Sequence, residues 1–156
     1  MVITIHNIRM IVDADACPVK SEIVLLGKQF QIQVVMVASF DHSLKNEDGV
    51  VNIQVDRSDQ SADLYISNHI SAGDILITHD FGLASICLGK SVKVISPRGK
   101  FYNEQSIDFL LENRHESAKK RRSGHFTKGP KPFSKEDRNN FLQTMTNFLK
   151  QLQDIE

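Results

Sequence analysis

Apolar and polar positions change rhythm at regular intervals along the chain, and the changes mark its elements. Residues 9–12 (Met10, Ile11, Val12) form a short continuous apolar run, as a strand buried on both faces does. Residues 19–30 place Val19, Ile23, Leu26 and Phe30 three and four apart, which predicts a helix that Gly27 weakens slightly. Residues 33–38 (Val34, Val35, Met36, Val37) read as a second buried strand. A polar loop over 40–49 follows, and the alternation in 50–55 predicts a strand with one covered face. Residues 58–70 read as a helix that Ser58 or Asp59 caps, with Ala62, Leu64, Tyr65, Ile66 and His69 along it. Residues 74–78 and 92–95 are two more strands, separated by a short helix over 81–88. Residues 2–5 offer a short extra strand or a loose leader.

Strands alternating with helices predict an α/β fold: a three-layer sandwich around a parallel sheet of about five strands, joined by right-handed crossovers. After residue 95 the character changes. Ser96-Pro97-Arg98-Gly99-Lys100 is a basic turn. Asn103 caps a helix carrying Ile107, Leu110 and Leu111, whose distal part runs through His115 into Lys119-Lys120-Arg121-Arg122. A loop rich in Gly, Pro and Lys spans 123–133. Ser134-Lys135-Glu136-Asp137 then carries a helix-start signature. Phe141, Met145, Phe148, Leu149 and Leu152 form the apolar face of that last helix, which is expected to pack back on the sheet.

The 156 residues suit one domain, an α/β core over 8–96 with a basic helical part over 97–156. No apolar run approaches the roughly 18–20 residues of a membrane span. Residues 1–7 do not read as a signal peptide, so a cytoplasmic protein without membrane contact is expected. Cys17 and Cys87 lack CxxC spacing, which favours reduced thiols over a zinc site. Zero net charge conceals an asymmetry: residues 1–96 sum to −4 and residues 97–156 to +4. An acidic half joined to a basic half suits an enzyme that holds metal with one part and a polyanion with the other, and equally a protein that merely balances its charge.

The chemistry concentrates where strands hand over to helices. Asp13 and Asp15 end the first strand and Pro18 opens the next helix. Asp80 follows the 74–78 strand, and Asp63 lies in an early turn of the helix before it. In a doubly wound sheet the first and fourth strands are neighbours at the switch point, so Asp13, Asp15 and Asp80 converge there and Asp63 reaches them. Carboxylates this close repel unless a cation or proton is shared, and hard oxygen donors suit Mg²⁺ or Mn²⁺. Each also has a plainer role: Asp13 or Asp15 as a turn residue, Asp63 as a favourable helix-start charge, Asp80 as a cap. Thr78, His79, Ser39 and His42 are candidates for the same rim, His69 reads as structural, and Cys17 as a small buried residue. Residues 114–138 carry nine Lys/Arg against three acids. They suit a phosphate backbone, with Phe126 and Phe133 to stack on bases, or else a solvated charged face with two anchoring rings.

Seven ordered segments carry a resemblance that covers roughly residues 9–149. They are Ile11-Val12-Asp13-Ala14-Asp15-Ala16-Cys17-Pro18-Val19-Lys20, Ala62-Asp63-Leu64-Tyr65-Ile66, Gly73-Asp74-Ile75-Leu76-Ile77-Thr78-His79-Asp80, Leu83-Ala84, Ser96-Pro97-Arg98-Gly99-Lys100, Lys128-Gly129-Pro130-Lys131 and Glu136-Asp137-Arg138. The chain resembles the bacterial YaiI/YqxD family, which is similar to the PIN-like superfamily. That resemblance implies a PIN-like sandwich and a Mg²⁺- or Mn²⁺-dependent ribonuclease whose acidic cluster is Asp13, Asp15, Asp63 and Asp80. Within it, Asp13, Asp15 and Asp80 are the expected metal ligands. Arg98, Lys100, Lys119, Lys120, Arg121, Arg122, Lys128 and Lys131 are the expected nucleic-acid contacts, with RNA as the partner. The chain departs from many relatives at His79, where they carry glutamine, and at Gln60-Ser61. Two other readings stay open. One is a non-catalytic RNA-binding or regulatory domain. The other is a haloacid-dehalogenase-type phosphatase, which Asp13-x-Asp15 resembles; it also needs a lysine and a hydroxyl at later strand ends, for which Lys90 or Lys93 and Thr78 are poor candidates, and Pro18 follows too soon for its usual loop.

Overall fold

The computed structural model describes residues 7–39, 46–57, 61–124 and 131–155. The expected strand at 2–5, the caps Ser58 and Asp59, and His42, Phe126 and Lys128 lie outside the described residues. Ten elements follow one another: β1 (Arg9–Asp13), α1 (Lys20–Phe30), β2 (Gln33–Ser39), β3 (Val50–Val55), α2 (Ser61–His69), β4 (Ile75–Ile77), α3 (Phe81–Leu88), β5 (Lys93–Ile95), α4 (Glu104–Arg122) and α5 (Lys135–Ile155). The strands form one parallel sheet in the order β3-β2-β1-β4-β5. The winding therefore reverses between β1 and β4, where Ile11 pairs with Leu76 and Val12 with Ile77.

Because side chains alternate across a strand, each central strand feeds both layers. Met10, Val12, Val34, Met36, Ile75, Ile77 and Ile95 point into a core closed by Ile23, Leu26 and Phe30 of α1 and by Phe141, Met145 and Leu149 of α5. Ile11, Val35, Val37, Leu76 and Val94 point the other way, into a core closed by Ile66 of α2, Leu83, Ala84 and Cys87 of α3 and Ile107 of α4. The last helix thus belongs to the core, and its three inward residues are completely buried. Its start is a capping box, as the sequence predicts: the Asp137 N–H donates to Ser134 Oγ and the Ser134 N–H to Asp137 Oδ2, both at 3.1 Å.

The element boundaries differ from expectation where a side chain has other work. β4 is two residues shorter than predicted. At one end Asp74, buried, accepts from the Ser71 N–H (2.9 Å) and pairs with Arg9 of β1 (2.7 Å). At the other end Thr78 bonds to Asp13. Gly27, read as a weak point, is a point of close approach: a Cβ there would lie 2.6 Å from Val34 Cγ2. Gly99 has φ +87°, and a Cβ would meet the backbone of Asn140 and Phe141 at 2.9 Å. The Ser96–Lys100 turn is therefore a seat for α5, with the Asn140 amide donating to the Arg98 carbonyl at 2.7 Å.

Candidate functional site

By strand parity Asp13 and Thr78 share the face covered by α2, α3 and α4, at the carboxyl ends of the two strands that flank the reversal. The Thr78 hydroxyl donates to Asp13 Oδ2 and in turn accepts from the Asp80 N–H, both at 3.0 Å. One buried threonine so ties the end of β1 to the start of α3. Asp80 is the N-cap of α3, with Oδ1 accepting from the Leu83 N–H at 3.1 Å. Its plainer role is real, and it engages one carboxylate oxygen. Asp15 turns toward β2, where Oδ1 accepts from the Ser39 N–H at 2.9 Å. That bond fixes the loop after β1 against the neighbouring strand end.

The carboxylates feel one another. Burial holds the Asp13 carboxyl above its ordinary range. The Thr78 hydrogen bond and His79 pull it down, while Asp80 and Asp15 push it up. Asp63, in the first turn of α2, is pushed up to about 6, first by burial and then by the charges of Asp80 and Asp13. Asp13, Asp63 and Asp80 are thus one electrostatic cluster drawn from three elements, with Asp15 at its edge. Tyr102 stands beside it. Burial pushes its phenol up, a hydrogen bond with Ser96 opposes this, and Asp80 adds to it. The donors are the hard oxygens that Mg²⁺ or Mn²⁺ prefers. Among the described residues, however, no three Asp, Glu, His or Cys groups stand close enough to form a ready-made metal cage. Asp13 Oδ2, Asp80 Oδ1 and Asp15 Oδ1 are each already engaged by a protein donor.

A cleft of about 300 Å³ opens next to the cluster, lined by His79, Asp80, Phe81 and Arg114. The Phe81 ring meets Tyr102 edge-on, with centroids 6.0 Å apart. Arg114 was hidden in the sequence inside a general basic run. The signal that finds it is spacing: it lies seven residues after buried Ile107 and three after Leu111, on the same side of α4 but exposed.

The expected nucleic-acid contacts divide. Lys119, Lys120, Arg121 and Arg122 are exposed on the last turns of α4, and Lys100 and Lys131 are exposed as well. Arg98 is half-buried and engaged: it pairs with Asp137 (2.8 Å), donates to the Lys131 carbonyl and lies over the Phe133 ring. Arg138 lies over the same ring and pairs with Glu22 of α1 at 2.7 Å. Phe133 is thus an anchoring ring rather than a free stacking platform. Cys17 and Cys87 are buried thiols whose pKa burial pushes up to about 11, which makes them poor nucleophiles. His69 stacks on Tyr65 and bonds its carbonyl, a structural role. Lys90 and Lys93 sit at the amino end of β5, opposite the acids. Lys90 bonds the Ser67 carbonyl, so neither supplies a phosphatase's lysine.

Fold and site together define an α/β protein with acids gathered at the switch point of a parallel sheet. The family model described as "Uncharacterized BCR, YaiI/YqxD family" matches residues 11–151, and the chain belongs to that family. Similar proteins include a UPF0178 protein of Bacillus velezensis, 48% identical over 139 residues (88% of this chain, 83% of the relative). Others are UPF0178 proteins of Bacillus cytotoxicus, 45% identical over 147 residues (94% and 96%), and Listeria innocua, 46% identical over 142 residues (91% and 97%). No solved structure matches the chain. Among the described residues no helix is long and apolar enough to cross a membrane.

Proposed function

We propose that this chain is a divalent-metal-dependent ribonuclease or related phosphodiesterase acting on nucleic acid. The observation that carries the reading is the gathering of acids at the strand ends where open α/β sheets bind ligands: Asp13 and Asp63 are both held above the ordinary carboxylate range, by burial first and then by the charge of Asp80. Negative charge gathered in a partly buried site is costly to the fold, and a ligand that brings positive charge offsets that cost. Mg²⁺ needs only one or two carboxylates when waters and substrate phosphates complete its shell. Asp13 and Asp80 are the residues that would hold such an ion, and its chemistry there would be to polarise the phosphate and lower the pKa of a bound water. Asp63 and Asp15 would orient water and the loop after β1. The exposed Lys119–Arg122 run would hold the polyanion by releasing its counterions. A cytoplasmic location fits this chemistry.

The absence of a ready-made cage among the described residues favours a second reading, a non-catalytic RNA-binding or regulatory domain. Calorimetric titration of Mn²⁺ and Mg²⁺, with and without a non-cleavable oligonucleotide, separates the two. Asp13→Asn and Asp80→Asn are the matched variants, since asparagine still caps α3. The nuclease reading expects metal binding, at least with the oligonucleotide present, and metal-dependent cleavage that both variants abolish while staying folded. Retained oligonucleotide affinity with neither metal binding nor turnover in the wild type would refute it and leave the binding domain.

A further inference from the structure

We propose that the cleft between the start of α3 and the middle of α4 is a subsite for one nucleotide, with Arg114 gripping its phosphate and Phe81 forming the wall for its base. The inference rests on the phosphodiesterase reading of the neighbouring acids and adds to it a cationic contact that those acids cannot supply. Asp13, Asp63 and Asp80 repel a phosphate, so a fixed positive charge beside them favours the approach of a polyanion. Arg114 is the one lysine or arginine lining the cleft among the described residues. Its planar fork matches two phosphate oxygens at once, which a lysine does not.

Both walls stand on helices, and Arg114 itself is exposed on α4. α4 begins in a capping box, with the Ser106 N–H donating to Asn103 Oδ1 at 2.8 Å and the Asn103 N–H to Ser106 Oγ at 2.9 Å. It is pinned by buried Ile107 one heptad before Arg114. On the opposite wall, Phe81 is held by the edge of Tyr102 and by α3, whose cap is Asp80. His79, exposed beside it, adds a ring nitrogen able to hydrogen-bond. A volume of about 300 Å³ lies at the small end of ligand pockets and suits one nucleotide rather than a duplex. Beyond Arg114, α4 carries Lys119 to Arg122 five to eight residues on, about 8–12 Å along its axis at 1.5 Å per residue. A single strand seated in the cleft would therefore meet its next positive charges on the same helix.

The test uses the full chain in EDTA at low salt, so that it reads binding without metal or chemistry. Adenosine and uridine 5′-monophosphate, inorganic phosphate and adenosine are titrated separately by calorimetry, with the Arg114 side-chain Nε–H followed by NMR. Nucleoside monophosphates are expected to bind more tightly than phosphate or adenosine alone and to shift the Arg114 signal. Arg114→Ala should weaken them about tenfold or more, as loss of a charged hydrogen bond does. Arg114→Lys should recover part of the loss. Lys150→Ala, which removes an equal charge from α5, should leave the affinity unchanged. Two results overturn the inference: no monophosphate binding at millimolar concentration, or equal affinity in wild type and Arg114→Ala. Metal-dependent cleavage with an unaltered KM in Arg114→Ala would also sink it while leaving the phosphodiesterase reading intact. Arg114-dependent nucleotide binding in a chain that neither binds metal nor cleaves would do the reverse.

Discussion

Gly99→Ala tests how α5 is held. Two consequences of a methyl group at this position can be separated. The first is conformational: at φ +87° an L-residue costs about 1–2 kcal/mol over glycine. The second is contact. The new Cβ would stand 2.8 Å from Asn140 Nδ2 and 2.9 Å from both the Asn140 carbonyl carbon and the Phe141 nitrogen. Two of these atoms are helix backbone, so α5 itself must move. Moving it strains the 2.7 Å bond from Asn140 to the Arg98 carbonyl, worth about 0.5–1.5 kcal/mol. It also strains the part-exposed Arg98–Asp137 pair, worth no more than about 1 kcal/mol after solvent screening. The expected loss is about 2–4 kcal/mol. Gly49→Ala is the control: φ is +81° and no atom of the described residues lies within 4 Å of the added Cβ, so it should lose only the conformational part. Urea unfolding of both variants measures the difference, read from midpoints at a common slope. If the two alanines cost the same within about 0.5 kcal/mol, the turn is not a seat for α5 and the argument fails.

Three further outcomes follow from the packing and the charges. Gly27→Ala should destabilise the protein even though alanine is the better helix former by about 1 kcal/mol, because its Cβ would meet Val34 Cγ2 at 2.6 Å; a gain in thermal stability would refute this. Phe141→Ala should cost about 3–5 kcal/mol as a large buried ring becomes a cavity, measured in the same unfolding assay. Asp63 has a folded pKa of about 6, above its unfolded value. The native state therefore holds more protons between about pH 4 and 6, and stability falls as pH rises through that window. Asp63→Asn should thus be more stable than wild type at pH 7 and lose that advantage by pH 4, and a carboxyl ¹³C titration should place the midpoint near 6.

The carboxylate cluster was legible because it depends on local order: an apolar run, then an acid, then a helix start, repeated at β1 and β4. Asp13 and Asp80 stand where that reading expects them, at the reversal between the two strands. Asp15 and Arg98 show its limit. Asp15 shares the strand end with Asp13, yet its carboxylate bonds the Ser39 N–H, 24 residues away. Arg98 looked like a free cation in a basic turn, yet Asp137 and Phe133 hold it. Arg114 was lost among nine like charges because a net charge carries no direction.

By itself the sequence determined the alternation of strands and helices, the two apolar layers, the capping signals and the family, since each is written in spacings of two to four residues or in ordered local segments. Tertiary structure alone decided which glycines are indispensable, which cations are engaged and which acids feel one another. Those properties depend on distances between atoms far apart in the chain, and folding is what sets them.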